Sequence, residues 1–273
     1  MSLDQKRERL VDMIARLDSC AVAFSGGVDS AVVAKAAALA LGERAVAVTG
    51  TSASLAAGEL EDATELARQI GIEHVVVPTG ELASPAYARN APDRCFHCKT
   101  ELYTQLEALL PTLGVKTILN GANQDDLGDY RPGMRAASEH QILSPLAECG
   151  ITKAEVRELA SQWGLSVWDK PATPCLSSRI AYGEEVTPER LAMIDQAEQF
   201  LRRAGLKNFR VRYHKGDLAR IEAPLAELPR LVEADLRGRL SAEMRRLGFK
   251  FVTLDLEGFR SGSLNQLVEI TAK

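Results

Sequence analysis

The chain has 273 residues, a length that suits one large domain or two ordinary ones and that can bury a sizeable core. Hydrophobic residues make up 46% and charged residues 26%, and the net charge of −4 argues against a globally basic nucleic-acid binder. Apolar runs such as residues 36–41 are far shorter than the roughly 20 residues that a membrane helix needs. No apolar run follows the N-terminal charges and five cysteines make no disulfide framework, so we expect a cytoplasmic protein without a membrane partner.

The first part of the chain alternates apolar strands with helices. The predicted elements are a helix at 3–17, a strand at 20–24, a helix at 29–41, a strand at 45–48, a helix at about 55–70, a strand at 74–77, a helix at about 97–110 and a strand at 117–119. Short, continuous apolar runs are typical of parallel strands that are covered on both faces. We therefore predict an α/β domain over residues 1–180, with a parallel sheet that binds ligands at the carboxyl ends of its strands.

The pattern changes after about residue 180. Three prolines and a glycine interrupt residues 169–188, which predicts a long irregular connection. The predicted elements beyond it are a helix at about 188–204, a hairpin-like strand pair at 209–213 and 218–222, another helix, and a strand at 251–256. We interpret residues 181–273 as a smaller α+β domain for substrate binding or oligomerisation. Residues 201–250 hold 13 Lys and Arg against 6 Asp and Glu, so this stretch is basic within an acidic chain.

The hexapeptide Ser25-Gly-Gly-Val-Asp-Ser30 lies between the first strand and the next helix. Gly26 and Gly27 let the backbone approach a ligand closely, and the helix start offers free N–H groups. Ser25 and Ser30 add hydroxyl donors, so we predict a nucleotide-phosphate loop. Asp29 would repel a bare phosphate, and a Mg²⁺ ion that bridges phosphates explains why it is there. The loop lacks the lysine of a Walker motif and is not the dinucleotide-binding glycine pattern.

This hexapeptide resembles the phosphate loop of the N-type ATP pyrophosphatases, the PP-loop superfamily. The resemblance implies that the loop holds the β,γ-pyrophosphate of ATP and that Asp29 lies near Mg²⁺. It also implies that ATP is split into AMP and pyrophosphate while AMP is transferred to the substrate. The superfamily includes GMP, asparagine and NAD synthetases and several tRNA thiolases.

Further stretches narrow the resemblance. They are residues 120–133, which follow a predicted strand, PCLSSR (174–179), FRVRYH (209–214), LARIE (218–222) and LDLEGFRSGSLN (254–265). Together they are similar to the LarE family of ATP-dependent sulfur transferases, over both predicted domains. That family adenylates the carboxylates of pyridinium-3,5-biscarboxylic acid mononucleotide and converts them to thiocarboxylates, in the synthesis of the nickel-pincer nucleotide of lactate racemase. We therefore expect a small mononucleotide substrate, no nucleic-acid partner and a homo-oligomer.

Cys175 is the candidate residue for sulfur transfer. Pro171 and Pro174 disfavour a helix or a central strand here, so we predict that the cysteine lies on an ordered loop. The neighbouring Arg179 can favour its thiolate. The alternative is a cysteine buried in the core as a small hydrophobic side chain.

Charged residues are the candidates for binding the rest of the substrate. Arg210 and Arg212 alternate on a predicted strand and so face the same side, as a clamp for the substrate phosphate, and the resemblance adds Arg260. A solvated basic strand face is the alternative. The carboxylate candidates are Asp125 and Asp129 for nucleotide or metal contacts and Glu198 and Glu222 as acid or base. Each of these carboxylates can equally be a turn or surface residue.

The sequence Cys95-Phe-His-Cys98 adds a C-x-x-C at the start of a predicted helix. With Cys175, three thiolates can hold three irons of a [4Fe–4S] cluster and leave the fourth open to exogenous sulfide, as the resemblance to three-cysteine family members implies. Members with only the loop cysteine give up its own sulfur and are left with dehydroalanine. Zinc, with His97 or Cys175 completing the set, and a free dithiol are the alternatives. Cys20, inside an apolar strand, is predicted to belong to the core.

Three other functions compete with this one. A tRNA thiolase would share the phosphate loop, the C-x-x-C and the basic stretch, but the acidic composition and the lack of a recognisable RNA-binding module argue against it. An amidating synthetase would need an ammonia-handling module, and none is apparent. A nucleotide-binding regulator without activity would keep the loop but need no sulfur source.

Overall fold

The structure is a computed structural model that describes residues 1–128, 132–171, 173–260 and 263–264. The strands in these ranges are β1 (Cys20–Ala23), β2 (Ala45–Thr51), β3 (Glu73–Pro78), β4 (Thr117–Leu119), β5 (Arg210–His214), β6 (Leu218–Glu222) and β7 (Phe251–Leu254). The helices there are α1 (Leu3–Ala15), α2 (Val28–Leu41), α3 (Glu59–Ile70), α4 (Pro85–Ala88), α5 (Arg94–Leu113), α6 (Pro132–Glu139), α7 (Pro145–Glu148), α8 (Lys153–Gln162), α9 (Pro188–Arg203), α10 (Leu228–Val232) and α11 (Ala234–Arg246). None of the described helices is both long and apolar enough to cross a membrane.

The first four strands form a parallel sheet in the order β3-β2-β1-β4. This confirms the predicted α/β class. The chain leaves β1 for β2 on one side, whereas β4 pairs with β1 on the other side. Open parallel sheets bind ligands at the carboxyl edge where the strand order reverses, which here is the edge between β1 and β4.

Side chains of β1 alternate between two apolar cores. Cys20 and Val22 belong to the core that contains residues of α1, α2, α3 and α8. Ala21 and Ala23 belong to the core that contains residues of α5 and α6. Both faces of the strand are therefore covered, which explains why its sequence is a continuous apolar run and why Cys20 is buried, as predicted.

The last three strands form a separate sheet in the order β5-β6-β7. β5 and β6 are antiparallel, as the hairpin-like pattern predicts, whereas β6 and β7 are parallel. Val211, Tyr213 and Ile221 are fully buried on one face of this sheet. Because side chains alternate along a strand, Arg212 and Arg220, which are register partners, lie on the other face. The structure thus agrees with a smaller mixed-sheet α+β region.

The chain divides into two compact units. The first contains residues 1–52, 58–81 and 95–173, and the second contains residues 53–57, 82–94 and 174–273. The second unit thus includes two short segments that precede residue 174 in the chain. The sequence predicts one boundary at residue 180, and the functional assignment of two domains stays a prediction.

Candidate functional site

The hexapeptide of the phosphate loop joins β1 to α2 in a conformation that requires glycine. Gly26 has a φ of 70°, and a Cβ placed on it would lie 3.0 Å from the Cβ of Ala63 in α3. Gly27 is the N-cap of α2 and has no side chain that could bond the first amides of the helix. The N–H groups at the start of α2 therefore stay available to an anion, and the binding of a nucleotide phosphate there stays a prediction.

The two serines of the loop lie beside each other. The Ser30 hydroxyl donates to the carbonyl oxygen of Gly27 at 3.0 Å and accepts from the Ser25 amide at 3.2 Å. The two hydroxyl oxygens are 3.3 Å apart. These bonds hold the loop in shape and keep the hydroxyl groups of Ser25 and Ser30, both predicted donors, next to each other.

Asp29, in the first turn of α2, is held by two residues that the sequence analysis does not single out. Its Oδ1 accepts a hydrogen bond from Asn123 Nδ2 at 3.1 Å, and its Oδ2 forms an ion pair with the ammonium group of Lys153. Lys153 is the first residue of α8, and its backbone amide donates to Asp125 Oδ2 at 2.8 Å. The loop lacks a lysine of its own, and α8 supplies one.

The loop after β4 contacts the start of α2 directly. A Cβ on Gly121 would lie 2.8 Å from the Ser30 amide nitrogen and 3.0 Å from the carbonyl carbon of Asp29, so only glycine fits there. This places residues 120–123 against the phosphate loop. Asp125 contacts the first amide of α8, a helix-capping position, and its nucleotide or metal contact stays a prediction. Asp129 lies outside the described residues.

Cys175 lies on an ordered loop with its side chain exposed, immediately before a 3-10 turn (Leu176–Arg179). The buried guanidinium group of Arg179 fixes this loop, because its Nη1 donates to the carbonyl oxygens of Pro174 and Cys175. The other side of the guanidinium pairs with both carboxylate oxygens of Glu198, at 3.1 and 3.3 Å. Cys175 is therefore not a core cysteine, and its backbone is held while its thiol stays accessible.

Glu198 and Glu222 are both surrounded by donors. Glu198 Oε1 also accepts from the Val211 amide at 3.1 Å. Glu222 is fully buried, and its Oε2 accepts from Arg212 Nε at 3.0 Å and Nη2 at 2.8 Å, while Arg220 Nη2 donates to its Oε1 at 3.1 Å. Such carboxylates orient guanidinium groups and compensate their charge. The predicted acid or base role of both residues stays a prediction.

Arg210 and Arg212, the predicted arginine clamp, lie on one face of the second sheet, and their contact with a substrate phosphate stays a prediction. Burial, together with the neighbouring guanidinium groups of Arg179 and Arg212, lowers the pKa of Arg210 to about 10, so Arg210 remains cationic at neutral pH. Its guanidinium lies over the ring of Phe259, 5.2 Å from the centroid. Arg212 is buried, with 7% of its surface exposed. The clamp therefore contains one partly exposed and one buried cation.

Arg220 and Arg260 extend this group of cations. Arg220 Nη1 donates to Asp255 Oδ2 at 3.2 Å, and Arg260 Nη2 lies 3.9 Å from the same oxygen. Arg260 also pairs with Glu257 at 2.5 Å. Arg220 alternates with Glu222 in LARIE, a signal that could have identified it. Its register partnership with Arg212 depends on the strand pairing, which the sequence does not show.

The remaining cysteines divide into surface and core residues, and none of the five is in a disulfide. Cys95 is exposed and Cys98 partly exposed at the start of α5, whereas Cys20 and Cys149 are buried. Burial raises the pKa of the Cys20 thiol to about 12, and burial is also the main cause of the raised pKa of Cys149. Within the ranges that the structure describes, no three His, Cys, Asp or Glu side chains are grouped so that they could hold a metal ion.

Known proteins share this sequence over nearly its whole length. The NAD synthase family profile matches residues 9–98, which include the phosphate loop. A pyridinium-3,5-bisthiocarboxylic acid mononucleotide synthase of Lactiplantibacillus plantarum is 36% identical over 97% of this chain and 95% of its own length. The chain belongs to the LarE family. An uncharacterized protein of Synechocystis sp. is 48% identical over 97% of this chain and 99% of its own.

Similarity to tRNA-modifying enzymes is more limited. A tRNA-specific 2-thiouridylase of Xanthobacter autotrophicus is 31% identical over 55% of this chain and 48% of its own length. Membership of the LarE family makes the chain an ATP-using sulfur transferase of the PP-loop superfamily, as the sequence motifs predict. ATP is its nucleotide, and Mg²⁺ is the expected counter-ion.

Proposed function

We propose that this chain adenylates a carboxylate of pyridinium-3,5-biscarboxylic acid mononucleotide and converts it to a thiocarboxylate, in the synthesis of the nickel-pincer nucleotide. The observation that carries the proposal is the exposed thiol of Cys175 on a loop that buried Arg179 fixes. The similarity to the Lactiplantibacillus plantarum synthase, over nearly the whole of both chains, supports the choice of substrate.

The phosphate loop accounts for the first step. A carboxylate resists nucleophiles because its leaving group would be oxide. When a carboxylate oxygen attacks the α-phosphorus of ATP, the bond to the β-phosphate breaks and pyrophosphate leaves. The start of α2 holds the departing pyrophosphate, with Asp29 as a ligand for Mg²⁺ and Lys153 as a further cation.

Sulfur enters in the second step. A sulfur nucleophile attacks the acyl carbon and the bond to AMP breaks. Sulfide as the nucleophile gives the thiocarboxylate directly. Cys175 as the nucleophile gives a thioester, and loss of its Cα proton with cleavage of its Cβ–S bond then releases the thiocarboxylate and leaves dehydroalanine. We assign Cys175 to this step because its thiol is exposed on a fixed loop. Cys20 and Cys149 are excluded from it by burial and by their raised pKa values.

Two sources of sulfur fit the chain. Cys175 can give up its own sulfur. Alternatively, Cys95, Cys98 and Cys175 would hold a [4Fe–4S] cluster, which would supply an open iron for exogenous sulfide. Cys95 and Cys98 suit a shared ligand role because they are three residues apart at the start of α5 and neither is in a disulfide. The described residues contain no assembled set of three metal ligands.

The arginine face of the second sheet suits the phosphate of the substrate. Replacing Arg210 by Gln is expected to raise the KM for the mononucleotide about 10-fold to 100-fold and to leave the KM for ATP unchanged, because one charge-assisted hydrogen bond is lost. The rate of thiolation at varied concentrations of each substrate measures this, in single turnovers if the cysteine is consumed. Arg210 is a cleaner probe than Arg212, whose removal would leave the buried Glu222 short of a partner. The control is Arg239→Gln, a change in an exposed arginine. Equal KM values for the mononucleotide in the two variants would show that Arg210 lies on a solvated strand face and does not bind the substrate phosphate.

The proposed reaction is tested by anaerobic incubation with ATP, Mg²⁺, sulfide and the dicarboxylate mononucleotide. Mass spectrometry is expected to show exchange of oxygen for sulfur in the mononucleotide, together with AMP and pyrophosphate. ADP as the sole nucleotide product would contradict the proposed chemistry. Thiolation of tRNA in a salt-sensitive complex, with the mononucleotide unchanged, would instead identify a tRNA thiolase. If ATP stays intact with every substrate, the chain is a nucleotide-binding regulator.

A further inference from the structure

The loop that carries Cys175, residues 174–181, is also held by Arg94, which lies outside it. This arginine is only 5% exposed, and its Nη1 donates to the carbonyl oxygen of Ser177 at 2.8 Å and to Asn90 Oδ1 at 2.5 Å. Removing a guanidinium group from water is costly unless its donors are satisfied. Here the buried charge is bonded to the backbone of a loop, two residues after Cys175.

Asn90 holds the end of the same loop. It is completely buried, and its Nδ2 donates to the carbonyl oxygens of Ile180 at 3.2 Å and Ala181 at 2.9 Å. Its φ of 54° is uncommon for a residue other than glycine, although asparagine tolerates it better than most. The hydroxyl of Tyr87, also buried, lies 2.6 Å from Ser177 Oγ. Three buried polar side chains from residues 87–94 therefore bond to the loop.

These contacts complement those that Arg179 makes within the loop. Arg179 binds the carbonyl oxygens of Pro174 and Cys175, and Arg94 and Asn90 bind those that follow. The backbone is thus fixed before and after the reactive residue, while the thiol itself is exposed. The fold does not need the thiol for packing, so a fixed backbone at this point serves to direct it.

We propose that Arg94 and Asn90 are positioning residues for sulfur transfer, acting through the backbone of residues 174–181 on the direction of the Cys175 thiol. The inference rests on the proposed role of Cys175. Reacting atoms must be placed closely, and an error of about 1 Å can lower a rate on the order of 100-fold. Loosening this loop should therefore slow thiolation without changing the binding of either substrate.

Three variants separate positioning from folding. Asn90→Gly keeps the positive φ without strain and removes only the amide, Arg94→Lys keeps a buried cation with fewer donors, and Tyr87→Phe removes a single hydroxyl. The control is Arg89→Gln, a change in an exposed arginine of the same segment. We expect kcat for thiolation to fall roughly 10-fold or more in Asn90→Gly, less in Arg94→Lys and least in Tyr87→Phe. KM values and first-turnover pyrophosphate release should match the wild type.

Hydrogen exchange gives an independent readout without substrate. We expect faster exchange in the peptide that covers residues 174–181 in the Asn90→Gly and Arg94→Lys proteins. The Arg89→Gln protein should exchange like the wild type. Unchanged exchange, or thiolation and pyrophosphate release that fall in the same proportion, would overturn the proposal. If the wild type forms no thiocarboxylate, the proposed function fails. Hydrogen exchange in residues 174–181 and the rate of Cys175 alkylation still show whether Arg94 and Asn90 hold the loop.

Discussion

A Cys175→Ser protein is expected to release pyrophosphate from ATP in its first turnover and to form no thiocarboxylate. The change removes the sulfur but leaves the loop intact, because Arg179 binds the carbonyl oxygen of residue 175 rather than the thiol. Rapid quenching followed by mass spectrometry measures both products. Cys149→Ala is the control, since Cys149 is buried and its folded protein should thiolate normally. Normal thiolation by the serine variant would remove Cys175 from the reaction.

The same wild-type preparation distinguishes the two sources of sulfur. If Cys95, Cys98 and Cys175 hold a cluster, anaerobically purified protein should be brown, contain about four irons per chain and turn over repeatedly with sulfide. A colourless protein that completes one thiolation and then carries dehydroalanine at position 175 would show that the cysteine is consumed. Replacing Cys95 by Ser should abolish the repeated turnover in the first case and have no effect in the second.

The sequence predicts those features that depend on neighbouring residues. The buried strands are continuous apolar runs because both faces of the sheet are covered, and the phosphate loop is a contiguous hexapeptide with a glycine at a positive φ. Lys153 could not be predicted in this way, since it lies 124 residues after Asp29 and begins a helix that the sequence analysis does not identify. The pairing depends on how α8 packs beside α2, a tertiary contact.

The basic stretch at residues 201–250 gives a second example. Its excess of positive charge predicts a basic surface, but the structure places carboxylates among the arginines. Glu222 lies between Arg212 and Arg220, and Asp255 lies between Arg220 and Arg260. Net charge counts residues without regard to their partners, so it cannot separate a compensated cation from an available one. Strand register, which sets these partners, follows from the fold.

Lys153→Met is expected to slow first-turnover pyrophosphate release about 100-fold, the usual cost of removing one group that stabilises charge developing in a transition state. The ammonium group pairs with Asp29, which we propose as a ligand of Mg²⁺. In the proposed reaction Asp29 would hold Mg²⁺, and the Lys153 ammonium group would then be free to stabilise the departing pyrophosphate. The assay is rapid-quench measurement of pyrophosphate. Lys153→Arg should recover part of the rate. The control is Lys6→Met, which removes an ion pair with Glu155 farther along α8.

A double-mutant cycle with Asp29→Asn shows which partner of Lys153 matters. If the lysine serves only to neutralise Asp29, the defect of Lys153→Met should disappear in the Asp29→Asn background, because no carboxylate remains to be compensated. If the lysine stabilises pyrophosphate, both changes should slow the reaction, and their effects should combine. Asp29→Asn alone should also weaken the dependence of the rate on Mg²⁺. We expect the second pattern, and full suppression of the lysine defect would limit Lys153 to holding the carboxylate.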